Sequence, residues 1–415
     1  MNEGTVQLKE AKTLPDGWRW FKLGDIAKPD TTQVLPETPE AGQLPYVGLE
    51  HVESETGRIT GTLSGKNTAS AQGTAFHFDS RHVLYGKLRP YLNKVALPDF
   101  EGRCSTELLP LLPVSECYRS YLAWLLRHSE IVTEATRLMM GTRMPRADMD
   151  ELFKLPVPLP PLPEQKRIAA RIQELMAEVE HARTACEAQL EAAKALPQAY
   201  LRQVFESEEA KRWERRRLGE VCKGDSGVWG DPGDDSPSCF PILRSNNIQS
   251  GTMVLDDVAV IKITDTSVVD KKRLITGDIL VTTSSGSKDL LGKSALFIQP
   301  PDGKEYLFSN FTMRLRSHEG IVEPTFLYFY LQSPTAKHTL TLLQDTTTGL
   351  RNLDRAEFLA QTVPIPPLAQ QKRIATELRV KMEEAEKLKA SIEKELETIN
   401  ALPQAILRKA FSGEL

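Results

Sequence analysis

The fold of this chain is decided by a stretch that occurs twice. Residues 157–205 begin V-P-L-P-P-L-P-E-Q-K-R-I-A and end A-L-P-Q-A-Y-L-R-Q-V-F. Residues 363–411 begin V-P-I-P-P-L-A-Q-Q-K-R-I-A and end A-L-P-Q-A-I-L-R-K-A-F. The two copies align without a gap at an offset of 206 residues, and 24 of 49 positions are identical. A repeat at this period indicates duplication of a domain-sized unit.

Each copy predicts a long amphipathic helix with a heptad seam. Polar residues interrupt the seam at Gln189 in the first copy and at Lys381 and Glu395 in the second. The apolar seam residues are Ile168, Ile172, Leu175, Val179, Ala182, Cys186, Ala193 and Leu196, and then Ile374, Leu378, Ala385, Leu388, Ile392, Ile399 and Leu402. We therefore expect each helix to pack against a partner helix, and the other copy is the nearest candidate.

Proline sets the predicted ends of both helices. The proline runs favour extended backbone and predict helix starts at Glu164 and Gln370. Pro197 and Pro403 predict an interruption at the far ends. A helix over residues 164–195 would be ~48 Å long at about 1.5 Å per residue. Because each helix leaves its unit in the same way, we expect the two helices to be antiparallel and pseudo-twofold related.

Composition bounds the class of protein. The chain has 415 residues, 40% of them hydrophobic, which suits two or more globular domains. We expect a cytoplasmic protein, because no apolar run approaches the roughly 18 residues of a membrane span and residues 1–10 are too polar for a signal peptide. Five dispersed cysteines argue against a disulfide framework or a zinc site. With a net charge of −4, any nucleic-acid binding must come from local basic patches.

The duplication extends beyond the helices. Trp18-x4-Leu23-Gly24 is echoed by Trp213-x4-Leu218-Gly219. Strand-like runs at 44–49, 82–84, 253–263, 278–282, 294–298 and 308–315, with helical runs at 118–127 and 324–331, predict two α+β units. The predicted domains are 1–155 and 208–361 for the globular units, and 156–207 and 362–415 for each proline lead-in with its helix.

The sequence carries no motif of a self-contained active site. Residues 286–294 (G-S-K-D-L-L-G-K-S) resemble a phosphate-binding loop, but a glycine is missing at Ser287 and a strand rather than a helix follows. We favour a polar β-hairpin loop. The sequence has no G-x-S-x-G, no H-E-x-x-H and no Asn-Pro-Pro-Tyr or Asp-Pro-Pro-Tyr run. We therefore expect a protein that is not itself an enzyme.

Two loops at matched positions suggest DNA binding. Cations, amides, hydroxyls and aromatics can contact phosphates and base edges. The candidate DNA-binding residues are Lys87, Arg89, Tyr91, Asn93 and Lys94 in the first unit and Ser284, Ser285, Ser287, Lys288 and Lys293 in the second. Ordinary polar loops on a sheet rim are the alternative. The two loops occupy matching positions but differ in sequence. This difference favours two units that recognise different DNA sequences.

The helix ends suggest a repeated partner. Identity between the copies concentrates at the two ends of each helix, whereas the middle is typical of a structural coiled coil. Two equal surfaces predict two copies of one partner. The candidate docking residues are Gln165, Lys166 and Arg167 in the first copy and Gln371, Lys372 and Arg373 in the second.

These features together resemble the specificity subunit of type I restriction-modification systems. The motif P-P-L-x-x-Q-K-R-I occurs twice, one domain apart, with Ala369 where the first copy has Pro163. The resemblance implies two target-recognition domains, each reading one half of a split asymmetric DNA site, held apart by antiparallel helices. It also implies two methyltransferase subunits carrying S-adenosylmethionine, and restriction subunits that use ATP and magnesium.

Two other interpretations remain open. The first is a coiled-coil scaffold without sequence-specific DNA binding, and the second is a standalone methyltransferase or nuclease. A sequence-dependent gel shift with methyltransferase present would exclude the scaffold, and activity of the purified chain alone would favour the enzyme. The base sequence recognised does not follow from the residues.

Overall fold

The computed structural model describes residues 14–61, 73–234, 236–249, 251–284, 291–344 and 353–415. The chain divides into two compact units. The first unit contains residues up to 187 together with 394–415, and the second contains residues 188–393. Each unit therefore combines one globular domain with parts of both long helices. Within the described residues, none of the helices is long and apolar enough to cross a membrane.

The first unit is built from short strands and helices. Its strands are β1 (Arg19–Lys22), β2 (Ala27–Pro29), β3 (Gln33–Val34), β4 (Tyr46–Val47), β5 (Ala75–Phe78), β6 (Val83–Gly86), β7 (Val95–Ala96), β8 (Gly102–Ser105), β9 (Leu108–Pro113), β10 (Met139–Met140), β11 (Arg146–Ala147) and β12 (Pro156–Leu159). Its helices are α1 (Leu23–Ile26), α2 (Pro39–Gln43), α3 (Arg119–Leu126), α4 (Ser129–Arg137), α5 (Met149–Leu152) and the long α6 (Leu162–Phe205), which continues into the second unit. Single 3-10 turns lie at Leu49–His51 and Pro90–Leu92.

The second unit follows the same plan. Its strands are β13 (Arg215–Arg217), β14 (Cys222–Ser226), β15 (Cys239–Leu243), β16 (Ile248–Gln249), β17 (Thr252–Met253), β18 (Ala259–Lys262), β19 (Ile279–Thr282), β20 (Ser294–Leu296), β21 (Leu307–Phe308), β22 (Thr312–Ser317) and β23 (Thr362–Pro364). Its helices are α7 (Leu218–Val221), α8 (Thr266–Lys272), α9 (Pro324–Gln332), α10 (Pro334–Gln344), α11 (Arg355–Ala360) and the long α12 (Leu368–Ser412), which ends in the first unit. Single 3-10 turns lie at Ala210–Arg212 and Ser245–Asn247.

Matching sheets show that the duplication is structural. The four-stranded antiparallel sheet β2-β9-β6-β7 of the first unit corresponds to β14-β22-β19-β20 of the second. The parallel pair β4 and β8 corresponds to β15 and β21. A ribbon of β1 and β12 in the first unit corresponds to β13 and β23. The predicted α+β class is confirmed for both units, although the sequences between the shared motifs have diverged.

The sequence motifs that repeat are the ones that build the cores. Leu23 and Leu218, from the repeated Trp-x4-Leu-Gly motif, are fully buried in their units. The central strands β6 and β19 are buried along their whole length. Strands buried on both faces read as continuous apolar runs, which explains why 82–84 and 278–282 could be predicted. The fold therefore places the ends of β6 and β19 in equivalent positions.

The long helices differ from the prediction at both ends. They begin two residues earlier than predicted, at Leu162 and Leu368. Pro163 is tolerated there because the first turn of a helix has no internal partner for its N–H groups. Pro197 and Pro403 do not end the helices but lie inside them. The predicted interruption is therefore wrong.

The heptad seam was predicted in the correct helices but with a partly wrong register. Leu190 is buried, whereas the preceding Gln189, which the prediction placed in the seam, is exposed. Leu388 and Leu402 were also assigned to the seam, yet their side chains are 47% and 39% exposed. A straight helix drifts by about 20° per heptad, so a strict four-and-three pattern moves off the buried face after a few turns.

Each unit pairs the start of one long helix with the end of the other. In the first unit, Ile168 and Leu407 share one core, and the Arg167 Nη2 atom donates to the Leu415 carbonyl oxygen at 2.7 Å. In the second unit, Leu201 and Ile374 share one core. The two helices run in opposite directions within each unit, and the predicted antiparallel pairing is confirmed.

Candidate nucleic-acid interface

The first predicted loop is a hairpin connection with a fixed base. It joins β6 to the antiparallel strand β7. The Lys87 N–H donates to the Glu107 carbonyl oxygen at 3.0 Å, and the Ala147 N–H donates to the Lys87 carbonyl oxygen at 2.9 Å. Arg89 has φ of +50°, and its N–H donates to the Pro145 carbonyl oxygen at 2.8 Å. Neighbouring backbone thus holds Arg89 in a conformation that L residues rarely adopt.

The predicted side chains of this loop do not all face solvent. Arg89 is exposed, and the Tyr91 side chain is 48% exposed. Lys87 and Lys94 are half-buried, and the Lys94 Nζ atom donates to the Leu49 carbonyl oxygen at 2.8 Å. Arg89 and Tyr91 are therefore the predicted residues of this loop that are most available to a ligand.

Asn93 is not on the exposed face. Its side chain is 3% exposed, and its Nδ2 atom donates to Glu55 Oε2 at 2.8 Å and to the Arg127 carbonyl oxygen at 3.3 Å. It lines a cavity of about 690 Å³ with residues of α3 and of both long helices. Asn tolerates the left-handed backbone found here, with φ of +50°, and this structural role explains the residue. We remove Asn93 from the predicted DNA-binding residues.

The second predicted loop joins β19 to the antiparallel strand β20. The Thr282 N–H donates to the Lys293 carbonyl oxygen, and the Gly292 N–H donates to the Thr282 carbonyl oxygen, both at 2.8 Å. A strand follows the loop, so the β-hairpin prediction is confirmed and the helix of a phosphate-binding loop is absent at β20. Ser284 and Lys293 are half-buried. Ser285, Ser287 and Lys288 lie outside the described residues.

The bases of the two loops are held by the same backbone hydrogen bonds. The Thr283 N–H donates to the Phe311 carbonyl oxygen at 2.9 Å, as Lys87 donates to Glu107. The Leu353 N–H donates to the Thr283 carbonyl oxygen at 2.8 Å, as Ala147 donates to Lys87. One scaffold therefore presents two loops of unrelated sequence.

A buried polar side chain with hydrogen-bond partners lies directly before the strand that leads into each loop. Asp278, directly before β19, is 1% exposed and accepts two hydrogen bonds from Arg316, at 2.7 and 2.6 Å. This contact raises the pKa of the Arg316 guanidinium. His82 occupies the same place before β6, and its ring nitrogens contact Asp79 at 3.0 Å and Asp30 at 3.2 Å.

Sequence reasoning missed several exposed side chains beside the loops. In the first unit, Met140 and Met144 of the β10–β11 hairpin are 62% and 48% exposed. In the second, Phe311 is 52% exposed and Trp229 is 75% exposed. The sequence Gly-x-Arg begins at Gly141 and occurs again at 349–351, outside the described residues. This repeat could have pointed to the surface beside each loop.

The predicted docking motif divides into buried and exposed residues. The Gln165 Oε1 atom accepts from the Tyr118 N–H at 2.7 Å, and its Nε2 atom donates to the Glu116 and Pro160 carbonyl oxygens, both at 2.8 Å. Gln371 makes the equivalent three bonds in the second unit. Both side chains are fully buried. We therefore remove these two glutamines from the predicted docking surface.

The basic residues of the motif remain available. Lys166, Arg167, Lys372 and Arg373 are all exposed. Arg167 pairs with Glu164 at 2.7 Å and Arg373 pairs with Glu377 at 3.5 Å, both across solvent-exposed surface. Exposed pairs of this kind contribute about 0 to 1 kcal/mol, so their partners can be exchanged at little cost.

The far-end motif is explained by packing. Phe411 lies edge-on to Tyr121 of α3, with ring centroids 5.3 Å apart. Phe205 lies edge-on to Phe326 of α9 at 5.5 Å. Each helix thus ends by inserting the same aromatic residue into equivalent cores. Identity at this end does not require an external partner.

The described residues contain no group of three or more His, Cys, Asp or Glu side chains arranged to hold a metal ion.

Comparison with known proteins identifies the family of the chain. The family model for the type I restriction modification DNA specificity domain matches residues 15–191 and again 210–398. The chain is 28% identical over 207 residues to the EcoDI specificity subunit of Escherichia coli, covering 49% of this chain and 45% of the relative. It is 23% identical over 316 residues to the EcoKI specificity subunit of strain K12, covering 74% and 67%. The EcoDI alignment thus spans less than half of that relative's length.

Solved structures agree in fold. The HsdS subunit from Thermoanaerobacter tengcongensis has a TM-score of 0.66 at 23% identity, covering 98% of this chain and 99% of that one. A chain solved in work on complex assembly and conformational transition of the type I R-M system has a TM-score of 0.74 at 24% identity, covering 97% and 100%. With two matches that together span most of its length, the chain belongs to the family of type I restriction modification DNA specificity domains.

Proposed function

We propose that this chain is the DNA-specificity subunit of a type I restriction-modification complex, with each unit reading one half of a split, asymmetric site. The observation that carries the proposal is the pair of hairpin loops with equivalent backbone anchors and different side chains. Arg and Tyr in the first loop, and hydroxyls and Lys in the second, offer different contacts to base edges. We infer from this difference that the two units recognise different DNA sequences.

The catalytic cofactors are proposed to lie on other subunits. S-adenosylmethionine would be held by two methyltransferase subunits, and ATP with magnesium by restriction subunits. The sequence motifs for such sites are missing from this chain. Its own role would be to bind the DNA and to position the methyltransferases on it.

Arg89→Ala is expected to weaken recognition of one half-site only. A bidentate contact to a base is worth about 1 to 3 kcal/mol, so binding of the assembled complex to the full site should fall by roughly 5- to 150-fold. Binding should be measured by gel shift with DNA carrying the intact site or either half scrambled. Arg171→Ala, in an exposed position on α6, is the matched control. Equal binding by Arg89→Ala and wild type on every DNA would exclude this loop from recognition.

Charge reversal in the docking motif is expected to remove one methyltransferase subunit. Lys166→Glu with Arg167→Glu should lose one copy, and Lys372→Glu with Arg373→Glu the other, because each pair is exposed and near a helix start. Native mass spectrometry of the coexpressed complex counts the subunits. Lys387→Glu with Lys394→Glu, exposed in the middle of α12, is the control. Full complexes from both docking variants would show that these residues have no docking role.

The alternative is a coiled-coil scaffold that binds only protein. A gel shift with the methyltransferase present separates the two, because a scaffold would give no sequence-dependent shift. Methylome sequencing of cells with and without this chain would report the split site directly.

A further inference from the structure

A group of basic side chains lies at the end of the sheet from which the second recognition loop departs. Ser226, the last residue of β14, is opposite Met313 of β22, and Met313 is opposite Val281 of β19. The loop after β19 begins two residues beyond this row, at Thr283. The end of β14 and the start of the loop therefore lie at the same end of the sheet.

Cations from three separate elements lie near the end of β14, and two of them contact Ser226. The Lys272 Nζ atom, at the end of α8, donates to the Ser226 carbonyl oxygen at 2.7 Å. The Arg355 Nη1 atom, at the start of α11, donates to Ser226 Oγ at 3.3 Å. Lys223, from β14 itself, has its Nζ atom 3.7 Å from Asp225 Oδ2. The fold brings these side chains together from positions more than 100 residues apart in sequence.

Among the described residues, Asp225 balances the positive charge of this group only in part. Asp225 is its nearest carboxylate, and the buried Arg314 already pairs with it at 2.9 Å. In the part of the chain that the structure describes, neither Lys272 nor Arg355 forms an ion pair. Burial lowers the pKa of the Lys272 ammonium, and the like charges of Arg314, Arg355 and Lys223 lower it further, against the pull of Asp225. Gathering like charges costs free energy, which a bound anion would recover.

The corresponding place in the first unit is different. Lys28 and Asp30 follow the Trp-x4-Leu-Gly motif at the same spacing as Lys223 and Asp225. There the Lys28 Nζ atom donates to the Gly24 carbonyl oxygen at 2.6 Å, and Asp30 contacts His82 at 3.2 Å. A carboxylate bonded to a histidine and to Thr32 does not attract an anion. In the described residues of the first unit, this place therefore has a different set of contacts.

We propose that Lys223, Lys272 and Arg355 form a clamp for DNA backbone phosphates, next to the bases that the loop after β19 reads. The inference rests on the proposed DNA-reading function and adds to it a sequence-independent contact made by named residues. Phosphate contacts fix the register of a protein on the duplex while the loop specifies the bases.

The test is the salt dependence of DNA binding by the assembled complex. Each lost phosphate contact lowers the slope of log K against log salt by about 1, so Lys272→Gln with Arg355→Gln should lower it by about 2. Between 50 and 200 mM salt the affinity of the variant should therefore fall by roughly tenfold less than that of the wild type, in addition to a loss of affinity at low salt. The loss should be equal on DNA with the intact site and on DNA with either half scrambled.

Two controls separate charge from structure. Lys272→Arg with Arg355→Lys keeps both charges and should keep the wild-type slope. Lys387→Gln with Lys394→Gln removes the same charge from exposed positions on α12 and should leave the slope unchanged. An unchanged slope in the Lys272→Gln, Arg355→Gln variant, or the same reduced slope in the α12 control, would overturn the clamp. Failure of the proposed function would instead be seen in the wild-type complex, as equal binding to intact and scrambled sites.

Discussion

Phe411→Ala is expected to destabilise the first unit by about 3 to 5 kcal/mol, the usual cost of removing a buried phenylalanine. The ring is 9% exposed and lies edge-on to Tyr121, at 5.3 Å, and to His128, at 5.5 Å. Truncation leaves a cavity between α3 and the end of α12, and it removes aromatic contacts that add to the burial. Hydrogen exchange of the α3 amides measures the loss, because it reports local opening within one unit.

The duplication supplies the matched control for this prediction. Phe205→Ala removes the equivalent ring from the second unit, where it contacts Phe326 and Tyr330, both at 5.5 Å. Exchange should then increase in α9 rather than in α3. Phe311→Ala, at a ring that is 52% exposed, should change neither. Unchanged protection of α3 in Phe411→Ala would show that the end of α12 does not stabilise the first unit.

Gln165→Ala is expected to destabilise the first unit by about 2 to 4 kcal/mol, since buried groups without hydrogen-bond partners cost about 1 to 3 kcal/mol each. The substitution removes the partners of the Tyr118 N–H and of the Glu116 and Pro160 carbonyl oxygens. Alanine is a better helix former than glutamine, so helix propensity does not contribute to the loss. Thermal unfolding together with hydrogen exchange at Tyr118 measures it.

Two variants define what the glutamine does. Gln173→Ala, at an exposed position two turns further along α6, should leave stability within about 0.5 kcal/mol of wild type. Gln371→Ala should reproduce the Gln165→Ala effect in the second unit, with faster exchange at Glu323, whose N–H it holds at 2.8 Å. If Gln165→Ala were as stable as Gln173→Ala, the repeated glutamine would not be needed for the fold. A docking role would then have to be reconsidered for it.

Repeated motifs made the architecture predictable. The offset of 206 residues indicated two equivalent units, and the apolar runs of β6 and β19 marked the central strands. The hairpin after β19 was predictable because Ala295 and Phe297 continue a strand pattern that no phosphate-binding loop would have. These signals are local in sequence, so tertiary packing did not have to be known.

The structure departs from the predictions where contacts between residues distant in sequence determine the conformation. Asn93 has a side chain of the kind that can contact DNA bases. Its amide instead donates hydrogen bonds to Glu55 and to the Arg127 carbonyl oxygen inside the first unit. Pro197 would usually end a helix, yet Leu201 and Phe205 beyond it are buried in the second unit. Identity at the helix ends was read as a sign of an external partner. Packing that both units repeat explains the buried glutamines and the terminal phenylalanines, whereas the docking role of the exposed basic residues stays a prediction.

The basic group near Ser226 also could not be predicted from the sequence. Lys223, Lys272 and Arg355 belong to three elements, and no spacing rule connects them. Only the strand register and the positions of α8 and α11 bring their charges to one edge.

The order of residues in the first unit has a consequence for its synthesis. Its core needs residues 394–415, whereas the second unit is one continuous segment, 188–393. At about 5 to 20 residues per second, a ribosome takes roughly 10 to 40 s to make that intervening segment. During this interval α3 has emerged without Phe411 to cover it. The unit encoded first is therefore completed last, and its nascent form is the one with the greater need for chaperone protection.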